Sequence, residues 1–246
     1  MSAAGRLRTV VFGDARGDLW GAAVSGPSAA IVLGERGGAG WSGALASWEQ
    51  EGRGWRLEGP GLALHVEPAG EDASAPEASA GERVTGFQEL CQVSGEVELG
   101  GSRREVQCVG TRCALEGVEP GEMRSARVVS GWFGADDAFL LLALRGERQV
   151  SHEEDMVAAT LFDPEGWVAV AEPRLSTTYD REGVPTRVNL ELWVGEGESE
   201  FPRRAAGEAA GPGAALDGDG IAIRVVPLRC HSRGREGAGA YVLVGL

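Results

Sequence analysis

The chain has 246 residues, enough to bury a sizeable core in one domain or two. Its formal net charge of −14 and pI near 4.7 set up a field that repels phosphate backbones and anionic surfaces, which argues against nucleic acid as a partner. All 23 basic residues are arginine, so neither a Schiff-base lysine nor a phosphate-loop lysine is available.

From Arg8 to Pro68 the sequence reads as short β runs (RTVVF, LWGAAVS, AAIVLGE, GWSGALASWEQ, GWRLE, LALHVEP) separated by glycine, proline and aspartate turns. Turn signals about every ten residues are the rhythm of an antiparallel meander. Ala69 to Glu82 is acidic, rich in Ala, Ser and Pro, and carries no apolar period, which predicts a solvated loop. Between Phe87 and Cys113 the alternation of Cys91, Val93, Val97 and Leu99 against Gln92, Ser94, Glu96 and Glu98 predicts a half-buried strand. Gly100-Gly101 supplies a hairpin turn, and Val106, Cys108 and Gly110 resume the alternation on the return strand.

Eight further β runs follow: RSARVVSGWF, AFLLLALR, DMVAATLF, GWVAVAEPRL, TRVNLELWV, EFPRRAAG, GIAIRVVPLR and AGAYVLVGL. No 3.6-period stretch competes with them. The longest apolar run, Ala138 to Leu144, lies between Asp137 and Arg145 and is too short to span a bilayer. The N-terminus meets charge and glycine after few apolar residues, so no signal peptide and no membrane insertion are expected and the location is read as cytoplasmic. Eight strands can close a barrel around side chains or one small ligand. The prediction is an all-β chain of two antiparallel β-barrels packed together, residues 1–113 and 114–246.

Cys91, Cys108, Cys113 and Cys230 have no C-x-x-C spacing and read as buried thiols. His65 and His231 stand alone and read as surface strand residues, so no metal site and no cofactor is expected. No G-x-S-x-G occurs, which argues against a serine hydrolase. His152 and Asp155 sit in the polar segment SHEEDMV; Asp155 shares parity with Val157, Ala159 and Leu161 and is placed at a barrel mouth beside His152, or else on a solvated acidic loop. Seven tryptophans accompany six Phe and two Tyr. They can fill cores, or Trp132, Trp167 and Trp193 can line one cavity from three strands. Arg112 can close a barrel over a tryptophan by cation-π contact or cap the polar end of a ligand.

The run Cys91, Val93, Gly95, Val97, Gly100, followed by Gly110 and Arg112, resembles the tandem lipocalin-like family that includes the carotenoid 1,2-hydratases (hydroxyneurosporene synthase-like) and bacterial relatives without known activity. Ser176-Thr177-Thr178-Tyr179 leading to Gly183-Val184-Pro185, and Gly237, Gly239, Tyr241 and Val242, resemble two later family elements. The resemblance spans about residues 87–246. It implies tandem lipocalin-like barrels, a hydrophobic cavity and a place for Tyr179 among the ligand-binding residues. Where that family carries D-H-S-W-G after the arginine, this chain has Cys113-Ala114-Leu115-Glu116-Gly117. Alkene protonation needs a carboxylic acid held neutral by burial, which Cys113 and Ala114 do not supply. The expected function is therefore binding of a small apolar molecule, isoprenoid or lipid-like. The alternative is a hydratase, cyclase or isomerase acting on an apolar olefin through His152 and Asp155. An open cavity without a buried carboxylate favours binding, and a buried Asp155 beside a cavity favours catalysis.

Overall fold

The computed structural model describes residues 5–26, 28–38, 40–69, 77–80, 84–118, 122–151, 154–195, 201–218 and 221–245, with 77–80 described by backbone alone. Among these residues there is no α-helix and every strand pairing is antiparallel. The first half contributes β1 (Arg6–Gly13), β2 (Leu19–Ser25), β3 (Ala29–Glu35), β4 (Trp41–Ala44), β5 (Ser47–Glu51), β6 (Gly54–Gly59), β7 (Leu62–Pro68), β8 (Glu77–Ala80), β9 (Val84–Leu99) and β10 (Ser102–Glu116). The second contributes β11 (Met123–Trp132), β12 (Ala138–Gly146), β13 (Met156–Asp163), β14 (Gly166–Ala169), β15 (Glu172–Tyr179), β16 (Pro185–Trp193), β17 (Arg203–Ala209), β18 (Ala214–Gly218), β19 (Ile221–Ser232) and β20 (Arg235–Gly245).

The two sheets have the same plan. One runs β4-β3-β2-β1-β10-β9-β7-β6-β5 with β8 on β9, the other β14-β13-β12-β11-β20-β19-β17-β16-β15 with β18 on β19. In each, the first strand pairs with the last, which curls a meander toward a barrel; Val10 lies opposite Arg112, and Val129 opposite Tyr241. Among the described residues each sheet has ten strands, where the sequence reading counted seven or eight in the first half and eight in the second, and the same two kinds of element account for the extra strands in both halves. GWSGALASWEQ and GWVAVAEPRL read as single strands but are corners. The Leu45 and Ala46 amides bond back to Ala29 and Glu58, as those of Val170 and Ala171 do to Ala159 and Trp193, so each corner joins the two sheet edges. The stretch read as a solvated loop contains β8, paired with Val84–Phe87, and its counterpart β18 was also missed.

Three apolar layers result, because several strands are covered on both faces. On β12, Phe139, Leu141 and Ala143 face the interior of the second half, while Ala138, Leu140, Leu142 and Leu144 pack between the sheets. That double coverage explains the unbroken apolar run at this strand. Leu7, Val11, Trp20, Ala22 and Val24 meet it from the first half, and Val10, Phe12, Ile31, Leu57, Leu64 and Val93 fill the first half's interior. Between the sheets the Thr111 and Ser130 hydroxyls lie 2.7 Å apart, and Thr160 donates to the Gln88 side chain at 2.8 Å. The central hairpin turns as expected at Gly100 (φ 57°) and Gly101 (φ 76°). The equivalent β19–β20 turn uses Arg233 (φ 51°) and Gly234, so an arginine occupies a left-handed position that glycine fills in the first half.

Candidate functional site

One end of the second half's interior is polar. Arg127 shares a face of β11 with Val129, and Tyr241 lies opposite Val129 on β20. The side chain of Asp155, just ahead of β13, is fully buried there. Its Oδ1 accepts from Arg145 Nε at 2.8 Å, and its Oδ2 accepts from Arg127 NH2 and, at 3.4 Å, from Arg145 NH2. Burial by itself would raise this carboxyl, but the hydrogen bonds and charges of Arg145 and Arg127 outweigh it and hold Asp155 below the ordinary carboxylate value. Tyr179 and Tyr241 hydroxyls are 3.0 Å apart, and burial followed by the bond to Tyr179 pushes the Tyr241 phenol upward. Asp155 is thus a fixed anion that accepts hydrogen bonds. A carboxylate in that state does not protonate an olefin near neutral pH.

The first half places a different set at its interior. Glu89 Oε2 accepts from Arg112 Nε at 2.7 Å and NH2 at 2.5 Å, and Arg53 reaches its other oxygen at 3.8 Å. The Arg112 guanidinium lies 4.8 Å from the Trp55 ring centroid and 5.4 Å from that of Phe87. Arg8 stacks on Trp48 at 5.2 Å. The stack over a tryptophan is one of the two roles read for Arg112; the Glu89 ion pair was not read at all.

Between the sheets a cleft of about 490 Å³ opens, with Trp20, Trp132, Leu228 and Ala238 among its walls and Arg16, Arg36, Arg229 and Glu236 around it. The loop entering it is held by Asp14, whose carboxylate accepts from the amides of Arg16 (2.8 Å), Asp18 and Leu19 (both 2.9 Å). Two glycines make room for the indoles. A Cβ on Gly34 would lie 2.0 Å from Trp20 Cζ2, and one on Gly13 would lie 2.8 Å from Trp132 Cζ2. Trp132 therefore lies against the other half's first strand and donates weakly to the Asp14 carbonyl at 3.4 Å.

The other expected residues do not join these two in one cavity. Trp167 on β14 is half-buried against the layer between the sheets. Trp193 lies on the face of β16 opposite buried Leu190 and Leu192, with Arg174 over it at 6.0 Å, so three tryptophans do not converge. Tyr179 belongs to the Asp155 cluster, and His152 lies outside the described residues. All four cysteines are free and buried; burial pushes Cys108, Cys113 and Cys230 up to about 12. Half-buried His65 lies 3.0 Å from Glu51, and exposed His231 3.9 Å from Glu236. No cluster of metal-ligating side chains occurs among the described residues, and no helix among them is long and apolar enough to cross a membrane.

No family model matches the chain, and no curated protein does. Solved structures do match in shape. An AttH protein of Nitrosomonas europaea superposes with a TM-score of 0.67 at 13% identity, over 98% of this chain and 92% of its own. CghA superposes alone at 0.66 (12% identity; 98% and 88%) and in complex with Sch210972 at 0.63 (12%; 98% and 89%). Kievitone hydratase from Nectria haematococca gives 0.56 at 8% identity, covering 99% and 89%. At such identities the likeness speaks for the fold alone: this chain is similar, over nearly its whole length, to lipocalin-like proteins that include a hydratase.

Proposed function

We propose that the protein binds a small hydrophobic molecule, isoprenoid or lipid-like, in the cleft between its two sheets, and that it does so without converting it. The observation that carries this reading is the cleft itself. Its volume of about 490 Å³ falls within the range of small-molecule sites, roughly 300–1,000 Å³. Trp20 and Trp132 offer flat apolar walls on opposite sheets, while the arginines around the cleft suit a polar ligand end. The complex of CghA with Sch210972 supports it by analogy, as a case of a protein of this fold solved with a bound compound.

The catalytic alternative draws on the kievitone hydratase likeness and on the Asp155 side chain, which is buried behind Arg127 and Arg145 at the edge of a cleft, the arrangement expected from the sequence to favour catalysis. It is the weaker reading because Asp155 sits between two guanidinium groups that keep it ionised.

The test is a titration with all-trans-retinol followed by tryptophan emission. Saturable quenching is expected, and Ala210→Phe, an exposed position at the cleft, should weaken it at least tenfold while leaving the melting temperature near wild type. Quenching that is absent, or that is unchanged in Ala210→Phe, would place the ligand elsewhere and defeat the proposal.

A further inference from the structure

A second cleft of about 480 Å³ opens at the other ends of β11, β19 and β20, beside Arg124, Ala222 and Gly245. The cleft between the sheets meets β20 at Gly237–Gly239 and the second one meets it at Leu243 and Gly245, so along that strand their linings lie four to eight residues apart, roughly 13–27 Å, while on β19 Arg224 and Pro227 are three residues apart. Four guanidinium groups line the second one: Arg124, Arg127, Arg145 and Arg224. Among the described residues one carboxylate, Asp217, lines it with them, and Asp155 lies buried behind Arg127 and Arg145. Among the described residues the four arginines outnumber these two carboxylates by two, in a chain whose net charge is −14. Arg124 and Arg224 form no ion pair among the described residues.

Asp155 acts as a positioning residue here. It bonds Arg145 through Nε and NH2, which fixes the plane of that guanidinium, and Arg127 through NH2. Tyr179 stands at the same wall with its hydroxyl 3.0 Å from that of Tyr241, and Leu216, Ile223 and Leu243 supply apolar surface next to it. Arginine forks in this number match the paired oxygens of a carboxylate or phosphate.

We propose that this cleft is a separate ligand site for a small organic molecule with an oxyanionic head group, a carboxylate or a phosphate, on a short apolar stem. The head pairs with Arg124 and Arg224, beside the Arg127 that Asp155 bonds, while the stem lies along Leu216, Ile223 and Leu243. The site is independent of the one proposed between the sheets, and its ligand is defined by charge first.

The experiment is calorimetric titration of the full chain with hexanoate, hexyl phosphate and hexanol at low ionic strength. At least one of the two anions is expected to bind saturably, weakening as salt rises, while hexanol gives no saturable heat. Which anion binds more tightly tells carboxylate from phosphate as the head group. Arg124→Ala with Arg224→Ala, an exposed and a half-buried side chain, should lower the affinity tenfold or more with little change in melting temperature, and the paired lysine substitutions should restore part of it. Ala210→Phe should leave anion binding unchanged. The proposal fails if neither anion binds, if hexanol binds as well as hexanoate, if binding survives the double alanine variant, or if Ala210→Phe abolishes it.

Discussion

Replacing Asp155 by asparagine keeps the shape of the side chain and removes its charge, leaving Arg127 and Arg145 without the anion that joins them. The Asp155 side chain is wholly buried and that of Arg127 is 8% exposed, so water does little to compensate on that side. Removing one partner of a buried ion pair costs about 3–5 kcal/mol. The low end applies, because Arg145 is 16% exposed beside an open cleft and can be rehydrated. For a chain of this length about 3 kcal/mol lowers the melting temperature by roughly 6–12 °C. The sign of the pH dependence follows from the lowered carboxyl. Asp155 contributes its full stability above the unfolded-state value of about 3.9, and that contribution is lost as pH falls through the lower folded-state value. Thermal melts of wild type and Asp155→Asn should therefore differ most near neutral pH and converge in acid, where the wild-type carboxyl is itself protonated. Equal melting at pH 7, or a gap that persists undiminished in acid, would refute the buried-anion assignment.

Gly34→Ala forces a methyl group to within 2.0 Å of the Trp20 indole, which is only 5% exposed and has little room to retreat. A loss of about 1–3 kcal/mol is expected in denaturant melts, together with weaker retinol quenching, since Trp20 lines that cleft. Thr111→Val leaves the buried Ser130 hydroxyl, 2.7 Å away, without its partner and should cost about 1–3 kcal/mol, whereas Thr111→Val with Ser130→Ala should cost much less than the two single changes added together. Strict additivity in that cycle would mean the two hydroxyls are not coupled. Arg233→Gly relieves a left-handed arginine in the β19–β20 turn, and equilibrium unfolding should find it more stable by about 1 kcal/mol.

Much of the fold could be read from local pattern. The Gly100-Gly101 hairpin and the period-two runs on either side of it follow from residues that are neighbours in sequence, and they stand where they were read. The corners were hidden because Leu45 and Val170 keep the apolar alternation going while the backbone changes sheet edge. β8 and β18 were hidden because EASA and AALDG, four and five residues dominated by Ala with one large apolar side chain between them, carry no strand signal and form only against a long neighbour. The two barrel-like halves were read from the strand count and the family resemblance, whereas their position-by-position equivalence was hidden by divergence of interior residues: Arg112 answers to Tyr241 across Val10 and Val129.

The site was legible in fragments. Parity put Asp155 on the face of Val157, Ala159 and Leu161, and Ala159 and Leu161 do face the interior. Its partners Arg127 and Arg145 are 28 and 10 residues away, on strands whose pairing no local period reveals. The alternation of Val188, Leu190 and Leu192 already set Trp193 on the opposite face, so its separation from Trp132 was contained in the pattern. The cleft between the sheets arises from packing of two sheets, and nothing local encodes it; glycines at 13 and 34 are the residues whose purpose it explains.

The most direct measurement equilibrates the purified chain with the isoprenoid alcohol geranylgeraniol, separates protein from free ligand, extracts what remains bound and weighs it by mass spectrometry. Binding without conversion predicts a single molecule per chain, recovered at unchanged mass, with occupancy lost in Ala210→Phe and retained in Asp155→Asn. Recovery of a hydrated or cyclised product that disappears in Asp155→Asn would contradict the account and make Asp155 part of a catalytic apparatus.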